Sequence, residues 1–454
     1  MLYQKNIPET IKYDFAVAGG GLTGVCAAVA AARHGLKTIL IERTGNLGGV
    51  ATTGLVCHLL GGMKYAETGR FPRNVAGIFK EITHTLIAQH DAIEPDSIDR
   101  KLNPHGWFPG LAAGVPFDVE TMKAELDQIC LNSGVKLLYF TDIVDVRTEG
   151  DKLTHLIVHN KSGLSAISAA RFADTTGDAD IAFMSDCPTV TGRSEDHLVA
   201  PASLEFHVDH VDKEKCAKYI VENNEPRFRK LILSLREKGE WDFPYDIFIS
   251  VQMTHPDTFF INTIRQVGID GTDADSITAG MTDGRQEIKK LFGLMKKYFP
   301  GFENSRLKTV APVIGIRETR RIVGNYTLTV EELLKGQIFD DSIAVSSYGW
   351  DLPDPKKPSL QPFSGKEKPV YTHIPYRCLI PQNISNLIVA GRSISVERDV
   401  LGPIRVMAPC CAMGEASGLA AVAAASEDDA SFENININSL HSLLEQDNCI
   451  YQMV

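Results

Sequence analysis

The stretch AVAGGGLTGVCAAVAAARHG at 16–35 constrains this chain more than any other. Three consecutive glycines, Gly19, Gly20 and Gly21, separate a short apolar run, Phe15 to Ala18, from an alanine-rich segment. An unbroken apolar run of this kind suits a strand covered on both faces. Beyond the glycines, Val25, Ala28, Val29 and Ala32 fall at i, i+3, i+4 and i+7, which predicts a helix with one apolar face. Gly35 is its expected stop. KTILIE at 37–42 then predicts a second buried strand ending in Glu42. Strand, turn, helix and strand follow one another without interruption, the context in which a glycine fingerprint carries meaning.

Gly19, Gly21 and Gly24 match G-x-G-x-x-G, with Gly20, Leu22 and Thr23 between them. The first glycine permits the tight turn, the second lets the backbone approach a pyrophosphate, and the third lets helix and strand pack closely. The helix N-terminus adds free N–H groups and partial positive charge for phosphate. Glu42 lies 18 residues beyond Gly24, near the spacing of ~20 at which a carboxylate accepts from a ribose hydroxyl. The same carboxylate would repel a 2′-phosphate. The unit reads as a dinucleotide cradle.

At 454 residues the chain exceeds what one core usually supports, so two interlocked domains are expected. The formal charge of −11, without a long basic run, argues against nucleic acid or an acidic membrane surface as partner. Apolar stretches are broken by charge or glycine before the ~20 residues of a membrane span. The first residues, MLYQKNIPETIKYD, contain no apolar signal core. Nine cysteines, an odd count without a repeating framework, favour reduced thiols and a cytoplasmic location. His207 and His210 lie three apart in a predicted strand and so face opposite sides, and no metal site is expected.

Three later stretches bear on which dinucleotide is held. RTGNLGGVATTG at 43–54 follows Glu42 with the pair Gly48 and Gly49. ARFADTTGDAD at 170–180 runs a strand into Thr-Thr-Gly-Asp. NLIVAGRSIS at 386–395 gives another strand and glycine turn, followed by RVMAPCCAMGEASGLAAVAAA, a small-residue helix from about Pro409. With these motifs and GIRETRRIVGNYTLT, the chain resembles, over nearly its whole length, the FAD-dependent oxidoreductases of the glutathione-reductase structural type. The branch it resembles includes the flavoprotein subunit of heterodisulfide reductase.

The resemblance implies an α/β fold with FAD as cofactor: a Rossmann-like FAD/NAD(P)-binding domain, its parallel sheet flanked by helices, and an inserted α+β substrate domain. The expected layout is a FAD domain from 1–88, 115–191 and 375–427, a short insertion at 89–114, a substrate domain at 192–374 and a C-terminal segment at 428–454. Gly19 to Gly24 and Arg43 would hold the pyrophosphate end, Glu42 the adenosine ribose, and backbone near Val144 the adenine. Gly49, Ala51 and Thr52 would lie along the flavin and its ribityl chain, with Thr176, Gly177 and Asp178 closing over the dinucleotide. Gly391, Arg392 and the run Arg405, Val406, Met407 would border the pyrophosphate, ribityl chain and isoalloxazine. From the residues alone, a helix starting near Pro409 can aim its positive end at the flavin and stabilise the reduced anion. Gly414 and Gly418 read equally as packing sites of that helix against the sheet.

Disulfide reductases of this fold place two cysteines four residues apart after the glycine pair. Here only Cys57 follows, with Ala51 and Val56 at the expected positions. Cys410 and Cys411 open an alanine-rich helix and read as small buried hydrophobes. No cysteine cluster has iron–sulfur spacing, a departure from heterodisulfide reductase. A second glycine fingerprint is missing too, so hydride is expected from a small-molecule substrate directly or from a protein electron-transfer partner.

GIRETRRIVGNY places Arg317, Arg320 and Arg321 on one edge of an expected helix, and Arg398 and Arg405 flank the turn DVLGPI. A guanidinium fork binds carboxylate bidentately and stabilises negative charge developing on a substrate. Arg317 and Arg398 are therefore candidate catalytic residues. The other reading is that the 317–321 arginines pair with Glu318 and brace the two domains, with Glu397, Arg398 and Asp399 a solvated triplet. His58 is a candidate acid/base, since imidazole titrates near neutrality. ASLEFHVDHV and DIFISVQM predict an antiparallel sheet, DGRQEIKKLFGLMKKYFP an amphipathic helix, and 347–369 an exposed loop or hairpin connection. The expectation is an FAD-dependent dehydrogenase or reductase moving hydride between flavin N5 and a small anionic substrate bound between the domains. A flavin monooxygenase and a non-enzymatic electron-transfer subunit are the alternatives.

Overall fold

The computed structural model describes residues 6–9, 11–64, 66, 70–98, 113–359, 367, 369–427 and 431–453. Much of the expected insertion at 89–114, namely 99–112, lies outside them. Strand β1 (Tyr13–Ala18) sits mid-sheet and pairs in parallel with β2 (Thr38–Ile41), which pairs in parallel with β3 (Lys136–Leu138). A meander of β4 (Asp142–Glu149), β5 (Lys152–Asn160) and β6 (Gly163–Asp174) completes the other side. The 12-residue β6 joins the two halves of this sheet: its start pairs antiparallel with β5, its end in parallel with β1. Apolar residues on both of its faces, Ile167, Ala169, Phe172 and Ala173, explain why its later part is buried.

The connection after β6 enters a second, antiparallel sheet of β7 (Phe206–Asp209), β8 (Ser250–Gln252), β9 (Phe259–Ile261) and β10 (Arg306–Val310), in the order β8-β9-β7-β10. The chain then returns to the first sheet as β11 (Leu387–Val389), parallel to β6. Helices α1 (Leu22–Arg33), α2 (Gly77–Ala88) and α3 (Val119–Asn132) belong to the first unit. Helix α4 (Ala274–Tyr298) belongs to the second, with Ile288, Leu291 and Met295 buried and Phe292 partly so. An aromatic cluster supports that sheet, for example Phe248 against Phe299 at 4.7 Å between ring centroids, each such pair adding about 0.5–1.5 kcal/mol beyond area burial.

Helix α5 (Met407–Ala425) opens two residues before Pro409 and lies on α1. Helix α1 differs from its expected one-sided pattern, being buried at every position from Leu22 to Ala31. The alanines make this feasible, because α5 covers the side turned away from the sheet. A Cβ at Gly414 would stand 2.1 Å from Thr23 O, so that glycine serves the helix–helix contact rather than a helix–sheet one. By length and composition α5 could cross a membrane (mean hydropathy 1.3), but 83% of it is buried inside the fold.

Two further expectations need correction. The arginine segment is not a helix: Arg320–Ile322 is a strand paired antiparallel with Thr189–Thr191, and Arg317 precedes it. Its β-branched neighbours Thr319, Ile322 and Val323 favour that pairing over a helical turn. The described part of 347–369 is not an exposed loop, since Trp350 and Leu352 are buried.

Candidate active site

The fingerprint turn is held by its own chain. Gly19 takes φ of +97°, open to glycine, and its N–H donates to Ile41 O at 2.9 Å. A Cβ at Gly24 would stand 1.9 Å from Gly19 O, whereas one at Gly21 would meet nothing within 4 Å. Gly24 is thus the close-packing position, and Gly21 presents bare backbone. Glu42, 7% exposed, accepts Gly20 N–H through Oε2 and Thr44 N–H through Oε1, both at 2.7 Å. Gly48 N–H donates to Gly20 O at 2.8 Å, tying the glycine pair to the turn.

Above this turn runs a cavity of about 840 Å³, in the size range of cofactor and substrate sites. Gly19, Gly21, Leu22, Thr23, Glu42, Arg43 and Gly49 line its first end, and Thr176, Gly177, Asp178 and Arg392 its middle. Arg405, Val406, Met407, His58 and Arg317 line its second end. Asp178 Oδ1 accepts from Arg392 Nη2 and Thr319 Oγ1, each at 2.7 Å, a clamp joining three distant segments.

Other expected residues are not on its walls. Gly20 backs onto Leu47 and Glu42, Gly24 onto Gly19 and Thr175, and Gly391 onto Thr23. Ala51 and Thr52 turn inward, with Thr52 Oγ1 donating to Leu47 O at 2.5 Å. Val144 is exposed on β4, while Thr141, Asp142 and Ile143 beside it reach the wall. Arg398 is engaged by Glu318, donating from Nε at 3.0 Å and Nη2 at 2.8 Å. Glu318 is fully buried and also accepts from Arg321 Nη1 and Ala200 N–H. Bracing, the reading given for 317–321, describes Arg321. Arg398 is not in a solvated triplet, since its side chain is 11% exposed and held by Glu318, and of Arg317, Arg320, Arg321 and Arg398 only Arg317 lines the cavity.

The second end gathers residues that sequence reasoning missed: Glu205, Asn262, Arg265, Tyr348 and Asp351. Arg317 donates to Pro201 O at 2.6 Å and Asn262 Oδ1 at 3.3 Å, and Arg405 to Asp351 O at 2.5 Å. Burial, then the like charges of Arg265 and Arg405, push Arg317 down from the usual guanidinium range, although a guanidinium keeps its charge at working pH. Burial pushes Asp351 up, but Arg405, Arg265 and Arg317 together hold it below the usual carboxylate range. Glu205 is pushed up to about 8 by burial, against the pull of Arg317 and Arg265. His58 is held down at about 4 by burial, with a Gly114 backbone hydrogen bond opposing, so it is a neutral imidazole rather than a group titrating near neutrality. The available signal for Glu205 and Arg265 was a lone charge inside each of the apolar stretches ASLEFHV and FFINTIRQV. Among the described residues no group of three or more His, Cys, Asp or Glu is placed to hold a metal ion.

A fold built on a glycine-fingerprint sheet with an inserted antiparallel sheet, and one cavity running between them, defines a dinucleotide-dependent enzyme. The family model described as FAD dependent oxidoreductase matches residues 14–444, and the chain belongs to that family, with FAD as its cofactor. It is similar to glutathione reductase of Schizosaccharomyces pombe, 38% identical over 81 residues, 16% of this chain and 18% of that protein. It is also similar to mitochondrial dihydrolipoyl dehydrogenase of the same organism, 30% identical over 102 residues, 20% of each. The chain thus spans about a fifth of the length of these curated relatives. Among solved structures, a geranylgeranyl bacteriochlorophyll reductase-like protein from Thermoplasma acidophilum is 13% identical with TM-score 0.47, covering 96% of this chain and 83% of that one. A p-nitrophenol 4-monooxygenase from Pseudomonas putida is 10% identical with TM-score 0.45, covering 96% and 84%. Nothing about chemistry follows at that level of likeness.

Proposed function

We propose that this enzyme is a dehydrogenase or reductase that moves hydride between flavin N5 of its FAD and a small anionic organic substrate. The continuity of the cavity supports this reading, since one set of walls joins the fingerprint glycines to Arg317 and Arg405. The residues present fit FAD: bare backbone at Gly21, the α1 N-terminus behind it, and Glu42 and Arg43 at the same end. Bound FAD supplies a two-electron centre for hydride. The α1 N-terminus and Arg43 would hold the pyrophosphate, Glu42 would face the ribose, and the α5 N-terminus at Met407 would favour negative charge at the ring end. Arg317 and Arg405 would orient the substrate anion, and His58 with Phe260 would form a neutral wall that keeps water out. All nine cysteines are free thiols, which suits a reducing, cytoplasmic setting.

The test is anaerobic mixing with a panel of carboxylate- and phosphate-bearing metabolites, read as bleaching of the flavin absorbance. Bleaching by an anionic member is expected. Product formation that requires oxygen, without anaerobic bleaching, would replace the reading by a monooxygenase. Reoxidation by a protein partner alone would replace it by an electron-transfer subunit. Glu42→Arg is expected to lower flavin content, and undiminished content would remove the ribose assignment.

A further inference from the structure

Two deeply buried groups at the substrate end are left incomplete by the fold. Glu205 is 1% exposed and Arg265 5%, yet Glu205 Oε2 and Arg265 Nε have no hydrogen-bond partner. Buried polar groups are nearly always paired, so two unpartnered groups lining one cavity point to a ligand, which the Arg265 Nη atoms and Glu205 Oε1 would meet. Arg317 and Arg405 already donate to chain atoms, whereas Arg265 makes no hydrogen bond or ion pair with any described residue. Its planar fork is open for bidentate contact with a carboxylate. The charge of Arg265 acts on Glu205, yet no ion pair closes between them, which leaves a gap that a ligand can span. Among the described residues at this end, Arg265, Arg317 and Arg405 face the carboxyls of Asp351 and Glu205, so the cluster carries excess positive charge that an incoming anion offsets.

We propose that Arg265 anchors a substrate carboxylate and that Glu205 exchanges a proton with an adjacent substrate oxygen, so that the substrate pair is a 2-oxo acid and the matching 2-hydroxy acid. This rests on the hydride-transfer reading above. In the reducing direction the carbonyl carbon gains hydride, with its electron pair, from reduced flavin, and the C–O π bond breaks onto oxygen. That oxygen takes the proton of the Glu205 carboxyl, leaving a carboxylate between Arg317 and Arg265 that solvent reprotonates. The oxidation reverses each transfer, with Glu205 as the base for the hydroxyl proton.

The experiment uses the FAD-loaded protein and oxalate, a stable dicarboxylate that presents oxygens on adjacent carbons. Calorimetric titration near pH 8, where burial places the Glu205 titration, is run in two buffers of different ionisation enthalpy. Wild type is expected to bind oxalate with proton uptake, because the anion raises the Glu205 pKa further. His58 lies near 4, Asp351 below the carboxylate range, Cys57 and Tyr348 well above their usual ranges, and the arginines stay charged. Glu287, raised to about 7 by burial behind this end, is common to wild type and Glu205→Gln. Glu205→Gln is expected to bind oxalate without the uptake. Arg265→Met is expected to weaken binding about tenfold to a hundredfold, with Arg265→Lys recovering part. Flavin content reports folding in every variant, and if Arg265→Met loses its flavin, Arg265→Lys carries the comparison.

The inference is overturned if yellow wild type binds neither oxalate nor pyruvate, if Arg265→Met and Arg265→Lys both bind like wild type, or if proton uptake persists in Glu205→Gln. Binding with these signatures but bleaching only by other anions of the panel, and by no 2-hydroxy acid, would overturn the 2-hydroxy acid assignment and leave the hydride reading. Bleaching by no anion of the panel would sink the hydride reading. A protein that cannot be loaded with FAD would sink that reading alone.

Discussion

The two ends of the cavity are built on opposite rules of polar satisfaction. At the nucleotide end each oxygen of buried Glu42 accepts a backbone N–H at 2.7 Å. Asp174, at the end of β6, accepts from Ile181 N–H, Ala182 N–H and the Thr176 hydroxyl. The buried carboxylates of that end are satisfied before any ligand arrives. At the substrate end Glu205 and Arg265 are buried as deeply and keep orphaned atoms, each costing about 1–3 kcal/mol. A site for a common dinucleotide can be preformed, whereas a site that selects one anion keeps groups unpaired until that anion binds.

The largest test of the comparison is Glu318, a satisfied carboxylate within the substrate side. Glu318→Ala would leave Arg321 buried without its counter-charge and Arg398 with only Asp399, at 3.6 Å, an expected loss of about 3–5 kcal/mol in urea unfolding. Arg398→Ala should lower stability by less and leave kcat/KM unchanged; a selective kinetic loss would return Arg398 to the substrate site. Next in size is Gly24→Ala. Its Cβ would stand 1.9 Å from the Gly19 carbonyl oxygen, so strain of about 1–3 kcal/mol is expected, together with weaker FAD retention, read by thermal melting and flavin content. A variant that keeps its flavin would break the claim that the nucleotide end depends on preformed geometry.

The same contrast decides what was legible. Recognition at the nucleotide end uses backbone shape set by residues 19–24 with Glu42 close behind, so a local pattern reveals it. The all-round burial of α1 was hidden because its cover, α5, comes from the far end of the chain. Spacing of i, i+3 and i+4 misled at Arg317 to Arg321, where pairing with Thr189–Thr191 outweighs a three-arginine helical coincidence. Glu205, Arg265, Asp351 and Arg405 come from four separate segments. A lone charge in an apolar strand marks a special position but does not say what it faces.

A smaller effect concerns pH. Burial raises the folded-state pKa of Glu205 to about 8, above its ordinary 4.5. Between those values the folded chain keeps a proton that the unfolded chain has released, so stability falls as pH rises through that window. Glu415 within α5, also pushed up to about 8 by burial, contributes with the same sign. Glu205→Gln removes one of these contributions and is expected to gain on the order of 1 kcal/mol over wild type at pH 8 and much less at pH 5. Equal pH slopes in urea unfolding would show that the Glu205 proton is not held by burial.

The smallest effect is expected at the thiols, where the relation to disulfide reductases is decided. Cys410 lines the cavity at the start of α5, but burial and the neighbouring Cys411 hold its thiol up at about 12. Cys57 lies 3.4 Å from His207 Nε2, an arrangement that elsewhere makes a thiolate. Here burial acts against both ions, raising the thiol well above its usual value and lowering the imidazole to about 4. Each group is therefore neutral near pH 7, and Cys57 presents no thiolate to attack a disulfide or a carbonyl. Cys410→Ala should leave kcat/KM within about twofold of wild type, with iodoacetamide labelling Cys410 and Cys57 slowly or not at all in the folded enzyme. Rapid labelling of either, or a loss of turnover beyond tenfold, would place a thiolate beside the flavin and move the chemistry from hydride transfer toward thiol exchange.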